Sequence, residues 1–233
     1  MSRHQFLSLG LFLVVSLGWS LVFFTVRPLD FLPEVLPAPL GLLIAWLPPL
    51  GMFAVSLLLR RTSFSELPTS FFGESRKWSI LIALVPIGLL GGFGVDNEMG
   101  IQANLFGLFM GALLIIYTIL EEYGWRGYLQ HALPIRSEWL KYTLIALVWY
   151  IWHWDFLDGI GWGSLLIWGL LIFGAMGIGR LAEHKKSLLI CAAFHAMGNI
   201  AMFSQFLREH MALESRLIIV GICIGWLRIG APS

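Results

Sequence analysis

The sequence predicts an all-α integral membrane protein with about eight transmembrane helices. Three observations carry that expectation. The chain is 58% hydrophobic and 12% charged, against about 45–50% and about 25% in soluble domains, and its mean hydropathy is +0.81. Eight apolar segments follow one another, at about 6–26, 40–59, 78–94, 103–133, 138–157, 162–182, 187–207 and 215–229, most of them near the ~20 residues that a spanning helix needs. These runs are long and do not alternate in polarity, which excludes the strands of a membrane β-barrel.

The first segment follows Arg3. Its apolar run exceeds the 7–15 residues of a signal-peptide core and no A-x-A site follows, so a retained helix is expected. The third segment carries Pro86 and the glycines Gly88, Gly91, Gly92 and Gly94, and is expected to be kinked or short. The fourth runs from Ala103 to about Leu133, where Pro134 ends it. At 1.5 Å per residue that is about 45 Å, more than the ~30 Å hydrocarbon core, so it protrudes or tilts. With the N-terminus inside, twelve of the fifteen basic residues, Arg60 and Arg126 among them, fall on the cytoplasmic side. Arg27, Arg208 and Arg216 fall on the other. This bias places both termini in the cytoplasm, in a multi-pass protein of the cell membrane. No repeat or separate soluble domain is visible, so residues 1–233 read as one membrane domain. The net charge of +1 suggests no nucleic-acid partner. Cys191 and Cys223 lie in apolar runs and suggest neither a disulfide framework nor a thiolate metal site.

The chain is organised around Glu121-Glu122-Tyr123-Gly124-Trp125-Arg126, charged residues directly after an apolar run. A charged side chain at mid-membrane costs about 2.5–3.5 kcal/mol on insertion scales, and intramembrane charge marks a functional site by default. Glu122 and Arg126 are i and i+4 with Glu on the N-terminal side, the favourable order for an ion pair. Glu121 faces elsewhere and stays available, while Gly124 and Gly127 leave room for another helix. A hairpin near 134–137 returns the chain. Glu121 lies about 20 Å before that turn and His153 about 22 Å after it, so the two reach matching depth. His195 and Asn199, again i and i+4, share one face of the seventh segment.

One carboxylate, two imidazoles and an amide can support hydrolysis without a serine or cysteine nucleophile. Glu121 serves as general base for a water also held by His153. His195 and Asn199 donate hydrogen bonds to the oxyanion of a tetrahedral intermediate. Alternatively Glu121, His153 and His195 hold one divalent metal ion such as zinc, with water completing the site. There is no H-E-x-x-H, so the site is not of the zincin type.

These signatures, E-E-x-x-x-R (Glu121, Glu122, Arg126), aromatic-x-x-x-H (Trp149, His153) and H-x-x-x-N (His195, Asn199), occur in order on successive segments. Over about residues 105–205 the chain resembles the CAAX prenyl protease and bacteriocin-processing family (CPBP, also called Abi). The resemblance implies intramembrane endoproteolysis in an eight-helix bundle, with a conical helical core enclosing the site and residues 103–207 as the catalytic core helices. By motif matching, Glu121 is the catalytic glutamate and His153 its partner, His195 and Asn199 form the oxyanion site, and Glu122 and Arg126 support the structure. The metal stays open. The aromatic of the second motif is Trp149 where Phe is more usual. The implied partners are a peptide or lipidated protein substrate and the membrane lipids. Two other readings compete: a non-catalytic membrane scaffold or bacteriocin-immunity factor, and a small transporter using Glu121 and the histidines as a proton relay.

Overall fold

The computed structural model describes residues 3–26, 44, 46–64, 68–159 and 161–229. All regular structure among them is helical. In chain order the helices are α1 (Arg3–Val26), α2 (Leu47–Ser63), α3 (Arg76–Phe93), α4 (Ala103–Gly124), α5 (Glu138–His153), α6 (Trp162–Lys185), α7 (Leu188–Gly198), α8 (Gln205–His210) and α9 (Leu213–Ile229). Each of the eight apolar segments holds a helix. Four runs are long and apolar enough to cross a membrane: α1, α3, the continuous run Ala103–Ala132, and α6. The chain is an integral membrane protein. Residues 40–43 and 45 of the second segment, Arg27, and the side chain of Cys223 lie outside the described residues. Cys191 is buried.

The structure departs from the expected segments at three places. The fourth is not one regular α-helix: α4 gives way to a π-helical turn at Trp125–Leu129, and a short α stretch, Gln130–Ala132, completes the run. The fifth stops at His153 rather than 157, because Trp154 takes a left-handed conformation (φ 59°) and a 3-10 turn follows at Asp155–Asp158. The seventh is broken: α7 passes into a second π-helical turn, Asn199–Phe203, and ends at Ser204 before α8 begins. Pro86 lies inside α3, which nevertheless keeps 18 residues.

The chain forms two compact units. The first comprises Met1–Ser70 and Leu120–His184. In it α1 packs against α2 and α5. The buried residues of α1 are Ser8, Phe12, Ser16 and Ser20, at steps of four, while Phe6, Leu7, Leu11, Val14 and Val22 are exposed. Small polar residues inward and large apolar residues outward reverse the pattern of a soluble helix. This is the arrangement lipid favours, because small residues let helices approach and their hydroxyls bond across the contact. Ser20 donates to the Trp152 carbonyl oxygen near the end of α5. Gly179 of α6 permits a close approach to α5, since a Cβ there would overlap the Tyr142 ring. Lys141 with Glu183 (3.2 Å) and Arg180 with Glu138 (3.1 Å) join the same two helices at their polar ends.

The second unit comprises Phe71–Ile119 and Lys185–Ser233. Here α3 packs against α7 and α9. Ser187 caps α7 by accepting from the Ile190 N–H (3.2 Å). Its hydroxyl also lies 3.0 Å from that of Ser79 on α3. Asn104 of α4 donates to the Gly91 carbonyl at the end of α3 (2.7 Å), satisfying an acceptor that the helix end leaves open.

Candidate functional site

The first unit holds Glu121, Glu122, Arg126 and His153. Glu121 is 1% exposed, and Glu122 and Arg126 are 0% exposed. Arg126 Nη1 donates to Glu122 Oε1 at 3.2 Å, so the i,i+4 pair expected from the spacing forms in full burial. The guanidinium also lies over the Trp149 ring, 5.0 Å from its centroid, a cation–π contact that strengthens on desolvation. Close approach at this level comes from Gly124, where a Cβ would overlap the Met52 side chain of α2. Gly127 matters less, because a Cβ there would make an ordinary contact with Arg60.

Sequence reasoning overlooked Trp125. Its indole Nε1 donates to Glu121 Oε2 at 3.3 Å. Its ring meets Trp149 (centroids 5.8 Å apart) and stands edge-on to Trp152 (6.0 Å), and Trp152 stands edge-on to His153 (5.1 Å). Trp125 is to Glu121 what Arg126 is to Glu122, a donor four residues on. That spacing was the available signal. These contacts also show that the level of residues 121–126 and the level of 149–153 meet across the hairpin, as the depth calculation requires.

His153 is half-buried. Its Nδ1 lies 2.9 Å from the Trp149 carbonyl oxygen. A carbonyl oxygen can only accept, so Nδ1 carries the hydrogen and Nε2 of the neutral ring is the basic nitrogen. Because α5 ends at this residue, the imidazole stands at a helix terminus, where the turn at Trp154 redirects the chain.

His195 and Asn199 belong to the second unit. His195 is buried (6% exposed) in α7, and Asn199 is half-buried. Asn199 keeps right-handed helical dihedrals (φ −65°, ψ −42°) as it opens the second π turn, so the four-residue spacing still sets both side chains on one face. Among the described residues, no three His, Cys, Asp or Glu side chains gather into a group able to hold a metal ion.

Each π turn therefore begins within four residues of a candidate polar residue: after Glu121 and Glu122 in one case, and at Asn199 in the other. Single π turns inside α-helices occur frequently at functional sites. No curated protein matches the chain. The family model described as "Type II CAAX prenyl endopeptidase Rce1-like" matches residues 103–201, a stretch that contains every candidate residue from Glu121 to Asn199. Over residues 103–201 the chain is thus similar to the Rce1-like type II CAAX prenyl endopeptidases.

Proposed function

We propose that the chain is an intramembrane endopeptidase in which Glu121 activates water to hydrolyse a peptide bond of a lipidated or otherwise membrane-associated substrate. The observation that carries this reading is the division between two adjacent buried carboxylates. Glu122 is paired to the Arg126 cation, and Glu121 is oriented by the neutral indole of Trp125. On this reading the Arg126-paired Glu122 serves structure, while Glu121, oriented by Trp125, serves as base. His153, with Nε2 as its basic nitrogen, is the partner that holds the water. His195 and Asn199 are assigned to the oxyanion on their shared helix face and on their motif. Residues 103–207 form the catalytic core of a single eight-span membrane domain.

A divalent ion on Glu121, His153 and His195 would supply a metal-bound water of lowered pKa. The family favours a prenylated substrate tail; leader-type peptides are the second class.

For orientation, Arg60, Arg126 and Arg216 are buried and leave the count of basic loop residues. Twelve against three becomes ten against two, which still supports cytoplasmic termini.

The test is cleavage of prenylated and leader-type peptides by purified, lipid-reconstituted wild type and Glu121→Ala, read by mass spectrometry, with and without a strong chelator. Product from wild type and none from the variant is expected. Equal product from both removes Glu121 from the mechanism. No product from either favours a non-catalytic scaffold or immunity factor. The chelator arm separates metal from metal-free chemistry.

A further inference from the structure

Two buried arginines lie outside the matched segment 103–201, and the sequence reading had only counted them in the charge bias between the two sides of the membrane. Arg60 is 4% exposed and Arg216 is 6% exposed. Neither makes an ion pair with a carboxylate among the described residues. A buried guanidinium in a membrane protein is costly and is kept where its donors have a task. Both arginines donate to backbone oxygens at or beside the π turns.

Arg216, on α9, donates from Nη1 to the Ala201 carbonyl oxygen at 2.7 Å. Ala201 lies inside the second π turn, and α9 packs against that turn. The chain breaks at Ser204, so carbonyls of this last turn lack later helical donors. A cation there also suits the negative end of the helix dipole. Arg60, on α2, donates from Nη2 to the Thr69 carbonyl oxygen, and the Thr69 hydroxyl donates to the Arg126 carbonyl oxygen at 3.4 Å. Its guanidinium also lies 5.3 Å from the Tyr123 ring centroid. α2 packs against the first π turn. Thus each π turn has a buried arginine from another helix, one acting directly and one through Thr69.

We propose that Arg60 and Arg216 are positioning residues, each fixing the backbone of a π turn and thereby the side chains at its entrance. Arg60 acts on the setting of Glu121, Glu122 and Arg126, and Arg216 on that of Asn199. The inference rests on the proteolytic reading for its effect on rate, but not for its effect on the backbone.

The test uses the full chain in lipid, with Arg60→Gln, Arg216→Gln, the corresponding Lys variants, and Arg61→Gln as an exposed control beside Arg60. Two quantities are read: the kcat and KM of peptide cleavage, and amide hydrogen exchange by segment. Each Gln variant should lose about tenfold or more in kcat with KM within about twofold. Exchange should rise over 123–129 for Arg60→Gln and over 199–204 for Arg216→Gln, and stay unchanged elsewhere. The Lys variants should recover part of both effects, and Arg61→Gln should change neither. Unchanged exchange at the π turns would overturn the proposal, as would a rise spread evenly over the chain. If wild type cleaves no peptide, the proteolytic reading fails while the exchange result still decides the role of the arginines.

Discussion

The Glu122–Arg126 pair should behave as one unit, and a double-mutant cycle measures this. At 3.2 Å with both side chains 0% exposed, two unit charges attract by about 5 kcal/mol at an effective dielectric of about 20. Burying each ion costs several kcal/mol, so the net worth of the pair is small, whereas removing one member strands the other charge at a cost of about 3–5 kcal/mol. Arg126→Met also removes the guanidinium from the Trp149 face, worth about 2 kcal/mol in a desolvated setting. Glu122→Gln and Arg126→Met should therefore each destabilise by about 3–5 kcal/mol. The double variant should lose far less than their sum, with a coupling energy of about 3 kcal/mol or more, above the usual range for merely adjacent residues. The assay is reversible unfolding in mixed micelles followed by tryptophan fluorescence. Additive losses, with coupling below about 1 kcal/mol, would show that the two charges do not compensate each other and would refute the division of roles between the carboxylates.

Trp125→Phe keeps the ring but removes the Nε1–H that reaches Glu121. It should cost about 1.5–3 kcal/mol as a hydrogen bond to a charged group and lower kcat more than it raises KM, measured on the reconstituted enzyme. Gly179→Ala should destabilise by about 1–3 kcal/mol because its Cβ would overlap the stiff Tyr142 ring; melting curves read this, and Tyr142→Leu beside it should relieve part of the loss. Ser20→Ala removes the donor to the Trp152 carbonyl at the end of α5. It should cost about 0.6–1.7 kcal/mol, the range for interhelical hydrogen bonds in membranes, and raise amide exchange near His153; unchanged exchange there would deny α1 a role in holding that helix end. Tags on the two termini should report the same, cytoplasmic side of the membrane, and opposite sides would rule out an even number of spans.

The helices were legible because lipid imposes a length and a composition that sequence displays directly. The pairing of Glu122 with Arg126 was legible because it depends on one helical turn, and the meeting of residues 121–126 with 149–153 because it depends only on rise per residue and a short hairpin. The burial of Arg60 and Arg216 was not legible for a physical reason. A basic residue near the end of an apolar run looks like a loop residue unless something shows that its donors are used within the protein. That information lies in Thr69 and Ala201, which carry no sequence signal. The left-handed Trp154 and the break at Ser204 were hidden likewise: neither position has the glycine or proline that ordinarily marks a helix end.

The two π turns bear most directly on function. A π turn inserts one extra residue, so the helix face rotates by about 100° relative to an uninterrupted α-helix. Spacing arguments across such a turn hold before it and fail after it. Glu121, Glu122 and His195 lie on the regular side, which is why four-residue spacing works for Trp125, Arg126 and Asn199 just at the entrance. Through the turn and just past it, every residue from Gly124 to Gln130 is buried, which no single α-helical stripe would allow. The distortion thus lets a short stretch present a carboxylate pair toward its partners and still bury the residues that follow. Its backbone must then be held from outside, and that need accounts for buried arginine at Arg60 and Arg216 in a setting where charge is otherwise excluded.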